Sequence, residues 1–323
     1  MVQTINTVKS ATTIISKIAA GMLADRFQFL KTIDKESEDS FSQVNGYNTG
    51  DTINISKPAR FTMGTTADIT STIQDVIEQK VPLALDKTRN VAVNLTSAEI
   101  ATDLSLKSWA NRILKPAMST LGQGIEAECL ALAKTATYNS VGTGGSTVFD
   151  TDTMLQVREK LMTNLVPESE MYALLNSRAT RSASNARKGL FNNQAELAKT
   201  YKSGTIGAAD GFTYLENNLL PLQTNGNDIV FEVRTTVSSQ GATSLVVEAL
   251  TTTTGTVTAG QVFTVAGVYQ VHPITKVTTD VLQQFVSTTT VTADASGYAT
   301  LVVSPAMYTT GSQQNIATFP QYG

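Results

Sequence analysis

Apolar residues along this chain recur at spacings of three and four, then at every second position, then at three and four again, and finally at every second position to the end. Each regime predicts a different element. Over residues 4–30, Ile5, Val8, Ile14, Ile15, Ile18, Met22 and Leu23 predict an amphipathic helix. That segment has no core of its own, so its apolar side must lie on other parts of the chain or on a neighbouring chain. From Tyr47 to Leu95 the pattern alternates, in Thr52-Ile53-Asn54-Ile55-Ser56, in Val81 to Leu85 and in Val91 to Leu95. Phe61 to Thr72 shows no clear period, so the reading is an extended hairpin, an element too marginal to stand alone in water. Thr96 to Thr137 is the longest helical segment. Thr96 and Glu99 have capping-box spacing, Pro116 predicts a break, and Leu114, Met118, Leu121, Ile125, Cys129, Leu132 and Ala136 predict one apolar face. Gln123, Glu126 and Lys134 are expected to turn away from it. Gly122 and Gly124 weaken an isolated helix by about 1 kcal/mol each, so packing must hold it, and a helix laid across a sheet is expected.

Val141 to Ser146 reads as a glycine-rich linker, and Asp150 to Val166 as a second helix closed by Pro167. Met171 to Leu175 is a short buried strand. Ser177 to Lys202 then carries Arg178, Arg181, Arg187, Lys188, Lys199 and Lys202, the surface of a solvated helix or a face for nucleic acid or an acidic partner. From Asn225 onward the chain turns to short strands: Ile229–Val233, Leu245–Leu250, Gln261–Val265, Phe285–Val291 and Tyr298–Val303, with turn residues between them. That regularity predicts a small barrel or sandwich.

Composition narrows the function more than it names it. Charged residues make up only 16% of the 323 residues, below the usual quarter, and Thr, Ser, Asn, Gln and Gly replace them. Such a surface suits extensive protein contact. A net charge of −3 gives no basic bias of the kind phosphate binding uses. The single cysteine, Cys129, excludes an intrachain disulfide and a Cys-rich metal site, and its place on the helix predicts a buried thiol. No apolar run reaches the roughly 20 residues of a membrane span, and no signal-peptide pattern opens the chain.

The sequence holds few groups suited to catalysis. His272 is the only histidine, so neither a two-histidine metal centre nor a familiar triad can be assembled around it, and no Gly-x-Ser-x-Gly elbow exists. The Asp34–Asp39 acidic run reads as a solvated turn, and the only tryptophan, Trp109, as a packing anchor. No catalytic, cofactor-binding or metal-binding residue is assigned, no cofactor is expected, and an enzyme is not expected.

The order of arm, long hairpin, central helix and late β-region resembles the major capsid proteins of tailed bacteriophages, whose fold was first seen in phage Hong Kong 97. Within them, Thr258 to Ser287 is similar to the inserted domain of the Salmonella podovirus coat-protein branch, through Gly260 before a strand and Ala266, Gly267 and Val268 at the branch's Ala-Gly-Val turn. Ala259 and Gln261 stand where that branch usually has Lys/Arg and Asp, which leaves no salt bridge to that pair. Asp294 to Met307 also looks like this branch, with Ser304-Pro305-Ala306 closing a strand.

The resemblance implies an α+β, Hong-Kong-97-type capsid fold with an inserted, small, all-β, barrel-like domain. It divides the chain into an N-terminal arm (1–45), an extended hairpin loop with flanking strands (46–95), a spine helix and peripheral domain (96–149), an axial α/β domain (150–224), an inserted β-domain (225–312) and a return toward the axial domain (313–323). In the resembling proteins the chain continues to complete the axial and floor sheets, so a gene product longer than this chain is expected. The implied function is a major capsid protein that self-assembles into the icosahedral shell around a double-stranded DNA genome. Its implied partners are copies of itself in pentamers and hexamers, a scaffolding protein, a portal and a decoration protein, with packaged DNA near the wall and no membrane. The implied location is the virion, assembled in the host cytoplasm. A tail-tube or S-layer-like structural protein is the alternative that Thr-rich strands leave open.

Overall fold

The computed structural model describes residues 18–23, 27–33, most of 52–93, 110–143, 149–186 and 206–322. Thr96, Glu99, Trp109, the acidic run at 34–39, and Arg187, Lys188, Lys199 and Lys202 lie outside the described residues. The chain divides into two compact units, Met1–Ile55 with Pro82–Leu130, and Ser56–Val81 with Ala131–Gly323.

Strands β1 (Thr52–Lys57) and β2 (Gln79–Ala84) pair as a two-stranded sheet, as the alternating pattern predicts. The further strand expected at 91–95 is not formed at 91–93, the part of it that is described.

In the first unit, residues 18–23 are helical and 27–33 form a bend and turn, so the helix expected over 4–30 does not continue through 27–30. One turn of π-helix, Ala110–Leu114, leads into α1, Lys115–Ala136. Pro116 therefore occupies the first turn of α1. Its ring cannot continue a regular i to i−4 ladder from the preceding turn, and the expected break appears as the change from π to α winding just before it. Leu114 is buried against Ile18, Ala19, Met22, Ile113 and Met118.

The buried stripe of α1 differs from the expected one. Gly122, Glu126 and Leu130 are buried in α1 at steps of four, continuing the line from Leu114, whereas Leu132, placed on the apolar face by its spacing, is 67% exposed. Glu126, expected to point outward, is 2% exposed. The reason is long-range: its Oε1 accepts the backbone N–H of Gln28 at 3.1 Å and of Phe29 at 2.5 Å. A carboxylate that satisfies two amide donors can be buried at a position where apolar periodicity would never place it. Cys129, three residues further along α1, is partly buried. Burial pushes its thiol up, and the carboxylates of Glu128 and Glu126 add to the effect.

In the second unit, α2 (Thr151–Thr163) begins on Asp150, whose carboxylate accepts the Thr153 N–H and hydroxyl, both at 2.9 Å. It ends short of the expected Val166 because Asn164 caps it and Leu165 takes a positive φ of 60°. The Thr153 bonds hold the Asp150 carboxyl below its ordinary value. A depressed carboxylate contributes its stabilisation above the unfolded-state pKa and loses it as pH falls through the lowered folded-state value. Asp150→Asn, which caps without titrating, should flatten the acid side of a melting-temperature-against-pH curve. Asp150→Ala should lower melting at neutral pH; coincident curves for all three proteins would show that the cap does not matter.

Strand β3 (Tyr172–Leu175) is followed by α3 (Ser177–Ala186), β4 (Ala208–Ala209) and β5 (Phe212–Glu216). They form a sheet of order β3-β5-β4, with β3 and β5 parallel and β4 antiparallel to β5. Met154 of α2 packs with Ala173, Leu175, Phe212 and Tyr214 in the core beside this sheet.

The remaining strands are β6 (Glu232–Val233), β7 (Ala242–Glu248), β8 (Thr256–Val257), β9 (Val262–Val271), β10 (Thr278–Ser287), β11 (Val291–Thr292) and β12 (Ala299–Met307). Five make an antiparallel sheet of order β6-β7-β12-β10-β9, and β8 pairs with β11. Their inward residues form the largest core, including Leu245, Val247, Phe285, Leu301, Met307 and Ile316. Two sequence expectations change here. Ala266-Gly267-Val268, expected as a turn, lies inside β9, where Gly267 at φ 77° sits at a bulge in the pairing with β10. Ser304-Pro305-Ala306, expected to end a strand, lies within β12, and Pro305 falls where the β12–β7 register shifts.

Residues 315–322 complete this sheet without joining it as a strand. At β9, Val271 donates its N–H to the Asn315 carbonyl, Ala317 donates to the Tyr269 carbonyl, and Gln270 bridges Ile316. Further on, Val237 donates to the Pro320 carbonyl and the Tyr322 N–H reaches the Thr236 hydroxyl, both just beyond β6. The segment thus reaches from one outer strand of the sheet to the end of the other.

Candidate assembly surfaces

Buried amides position the surfaces of the β-region. Gln261, 2% exposed, accepts the Gly226 N–H at 3.0 Å and the Thr258 N–H at 3.3 Å, and donates to the Asp228 carbonyl at 3.1 Å. A neutral amide therefore ties three backbone positions together where the resembling branch usually has a charged aspartate. The adjacent Gly260 holds φ 85°, and a Cβ there would meet the Gln223 Oε1 at 2.7 Å. Only glycine fits without displacing that side chain.

Helix α2 meets the sheet through polar groups. Lys160 Nζ donates to the Ser140 carbonyl at 2.9 Å and to Gln284 Oε1 of β10, and Gln270 of β9 donates to Asn164 Oδ1 at 2.7 Å. Burial pulls the Lys160 ammonium below the ordinary lysine range. At the far end of the β9–β10 hairpin, Lys276 donates to the carbonyls of Ser312 and Gln314. Burial, then the nearby Arg60 charge, lower its pKa.

His272 is a turn residue in this hairpin. Its Nδ1 accepts the backbone N–H groups of Ile274 and Thr275 at 3.3 and 3.1 Å. The basic residues Arg178 and Arg181 are exposed on α3. Among the described residues no group of three His, Cys, Asp or Glu side chains could hold a metal ion, and no helix is long and apolar enough to cross a membrane.

What the described surface offers instead is apolar area. Between β1 and β2, Phe61, Met63, Ile69, Ile73 and Val76 are all exposed by more than half. Leu222, Ile229 and Val230 are more exposed still on average, although the stretch carrying them is tied to the β8 region by the backbone N–H groups and the side chains of Asn227 and Asp228. Scattered exposed apolar residues need no explanation, but runs held on well-bonded backbone suit a protein partner. The 16% charge content pointed toward contact; which apolar residues stay outside was not legible, since period alone does not separate a covered face from an uncovered one.

Comparison with known proteins supplies the context. No curated protein sequence matches the chain. Among solved structures, a chain from Mycobacterium phage Che8 is similar at 13% identity, with 84% of this chain and 90% of that chain covered and a TM-score of 0.43. Residues 5–317 match the family model described as P22 coat protein, gene protein 5. A match over nearly the whole length shows the family: the chain belongs to the P22 coat proteins, and it is a major capsid protein of a tailed bacteriophage.

Proposed function

We propose that copies of this chain close into an icosahedral shell, built of pentamers and hexamers, around the double-stranded DNA of the phage. The observation that carries this reading is the coat-protein family match over residues 5–317. Exposed apolar residues on the loop and near the β-region support it, because they gain burial only when another subunit covers them. A net charge of −3 is compatible with a wall that does not grip packed DNA.

In this reading 1–45 is an arm on an adjacent subunit, 46–95 a loop over a neighbour, 96–149 the spine and peripheral floor, and 150–224 the axial domain. Residues 225–312 are an inserted domain at the outer surface, and 313–323, instead of returning toward the axial domain, bond to its sheet through 315–322. A scaffolding protein and a portal take part in assembly in the host cytoplasm, and a decoration protein has the outer surface available. The structural role leaves no step for a catalytic group.

The test is electron microscopy of the purified chain, alone and with a co-expressed scaffolding partner. Closed shells tens of nanometres wide are the expected result. Particles that stay small in both preparations, at every concentration, would overturn the proposal, and regular tubes or flat lattices would replace it with another kind of structural assembly.

A further inference from the structure

One side chain pins the segment between β1 and β2. Thr62 donates both its backbone N–H and its hydroxyl to Gln74 Oε1, each at 2.9 Å, and Gln74 Nε2 donates back to the Thr62 carbonyl at 2.6 Å. A single primary amide thus supplies both a donor and an acceptor to a residue twelve positions away. It does for Thr62 what a ladder partner does in a paired strand. Both residues lie in the open, so burial does not explain the clamp. The residues beside them do carry apolar area: Phe61 and Met63 flank Thr62 at 61% and 86% exposure, and Ile73, next to Gln74, is 75% exposed.

We propose that Gln74 is a positioning residue for assembly: its clamp on Thr62 holds Phe61, Met63 and Ile73 as a preformed apolar surface that a second copy of this chain covers. The inference rests on the shell reading above and names the contact that reading needs. Two observations select the occupant. The chain is a coat protein, and its neighbours in a capsid include copies of itself. Over 57–80, Lys57, Arg60 and Lys80 are balanced by Asp68, Asp75 and Glu78, which leaves no basic excess of the kind phosphate binding uses. A clamp closed before docking removes part of the ordering cost that a loose loop would bear at the moment of contact.

The experiment compares full-length wild type with Gln74→Ala and Phe61→Ser, reading shell formation by light scattering and microscopy across a concentration series. Hydrogen exchange and melting are read on the unassembled subunit. Gln74→Ala should leave melting unchanged, speed exchange at the Thr62 amide, and raise the concentration needed for shells about tenfold. Phe61→Ser should raise that concentration without changing Thr62 exchange. Unchanged assembly of Gln74→Ala beside an assembling wild type overturns this inference alone. A lowered melting temperature in Gln74→Ala overturns it too, by placing the clamp in the fold. Duplex DNA bound by unassembled wild type and lost in Phe61→Ser would give the surface to nucleic acid. A wild type that forms no shells even with the scaffolding partner present removes the shell reading, and this inference with it.

Discussion

Ile316→Ala should destabilise the protein by about 3–4 kcal/mol, the range for deleting a fully buried branched side chain from a packed core. Ile316 has 0% exposure, lies in the cluster with Val268, Phe285 and Met307, and bridges Gln270 on the edge of β9. It anchors the segment that reaches from β9 to the residues after β6, so the cavity opens where the sheet is completed. Ile316→Val removes one methylene and should cost about 1 kcal/mol. Urea unfolding followed by tryptophan-independent far-UV dichroism measures both. A loss below about 1 kcal/mol for the alanine variant would mean that the segment collapses onto the core without help from this side chain.

Glu126→Ala carries the second large effect. The carboxylate takes two backbone donors, from Gln28 and Phe29, and its removal leaves both without that acceptor at a position where Glu126 itself is 2% exposed. A donor left unmade costs about 1–3 kcal/mol when fully buried, but Gln28 is exposed and Phe29 half-buried, so water replaces part of the loss and a net loss of about 1–2 kcal/mol is expected. The local readout is sharper than the global one. Exchange at the Gln28 and Phe29 amides should accelerate in Glu126→Ala and be largely restored in Glu126→Gln, whose amide oxygen still accepts. Equal protection in all three proteins would detach the 27–33 turn from α1 and leave Glu126 without its role.

These two residues also show what sequence could and could not convey. Period and turn chemistry located α1, α2, β1, β2 and the β-rich region, because each element depends on neighbours within a few residues. The face of α1 came out shifted because a local pattern assigns every carboxylate to solvent. The donors that bury Glu126 sit 97 and 98 residues away. Gly267 misled in the opposite direction: a residue suited to positive φ reads as a turn, but a long strand can absorb it as a bulge when its partner strand is long too. The true turn, at His272-Pro273, was hidden because histidine is rarely counted among turn residues, although its Nδ1 accepts two amides as an aspartate would. The surfaces for contact were legible only as a class, through a low charge content, while the Thr62–Gln74 clamp leaves no periodic signature.

The segment at 315–322 imposes an order of events on synthesis. Val237 emerges from the ribosome long before Pro320, whose carbonyl accepts its N–H. Until then β9 has been translated with its outer backbone groups near Tyr269 and Val271 unpaired. A nascent β-region therefore waits with an open edge, and open edges pair with whatever strand is near. On polysomes, where several copies are made side by side, the nearest strand belongs to another copy. The danger of premature joining is greatest in that interval, and it ends when the last residues of the segment fold across.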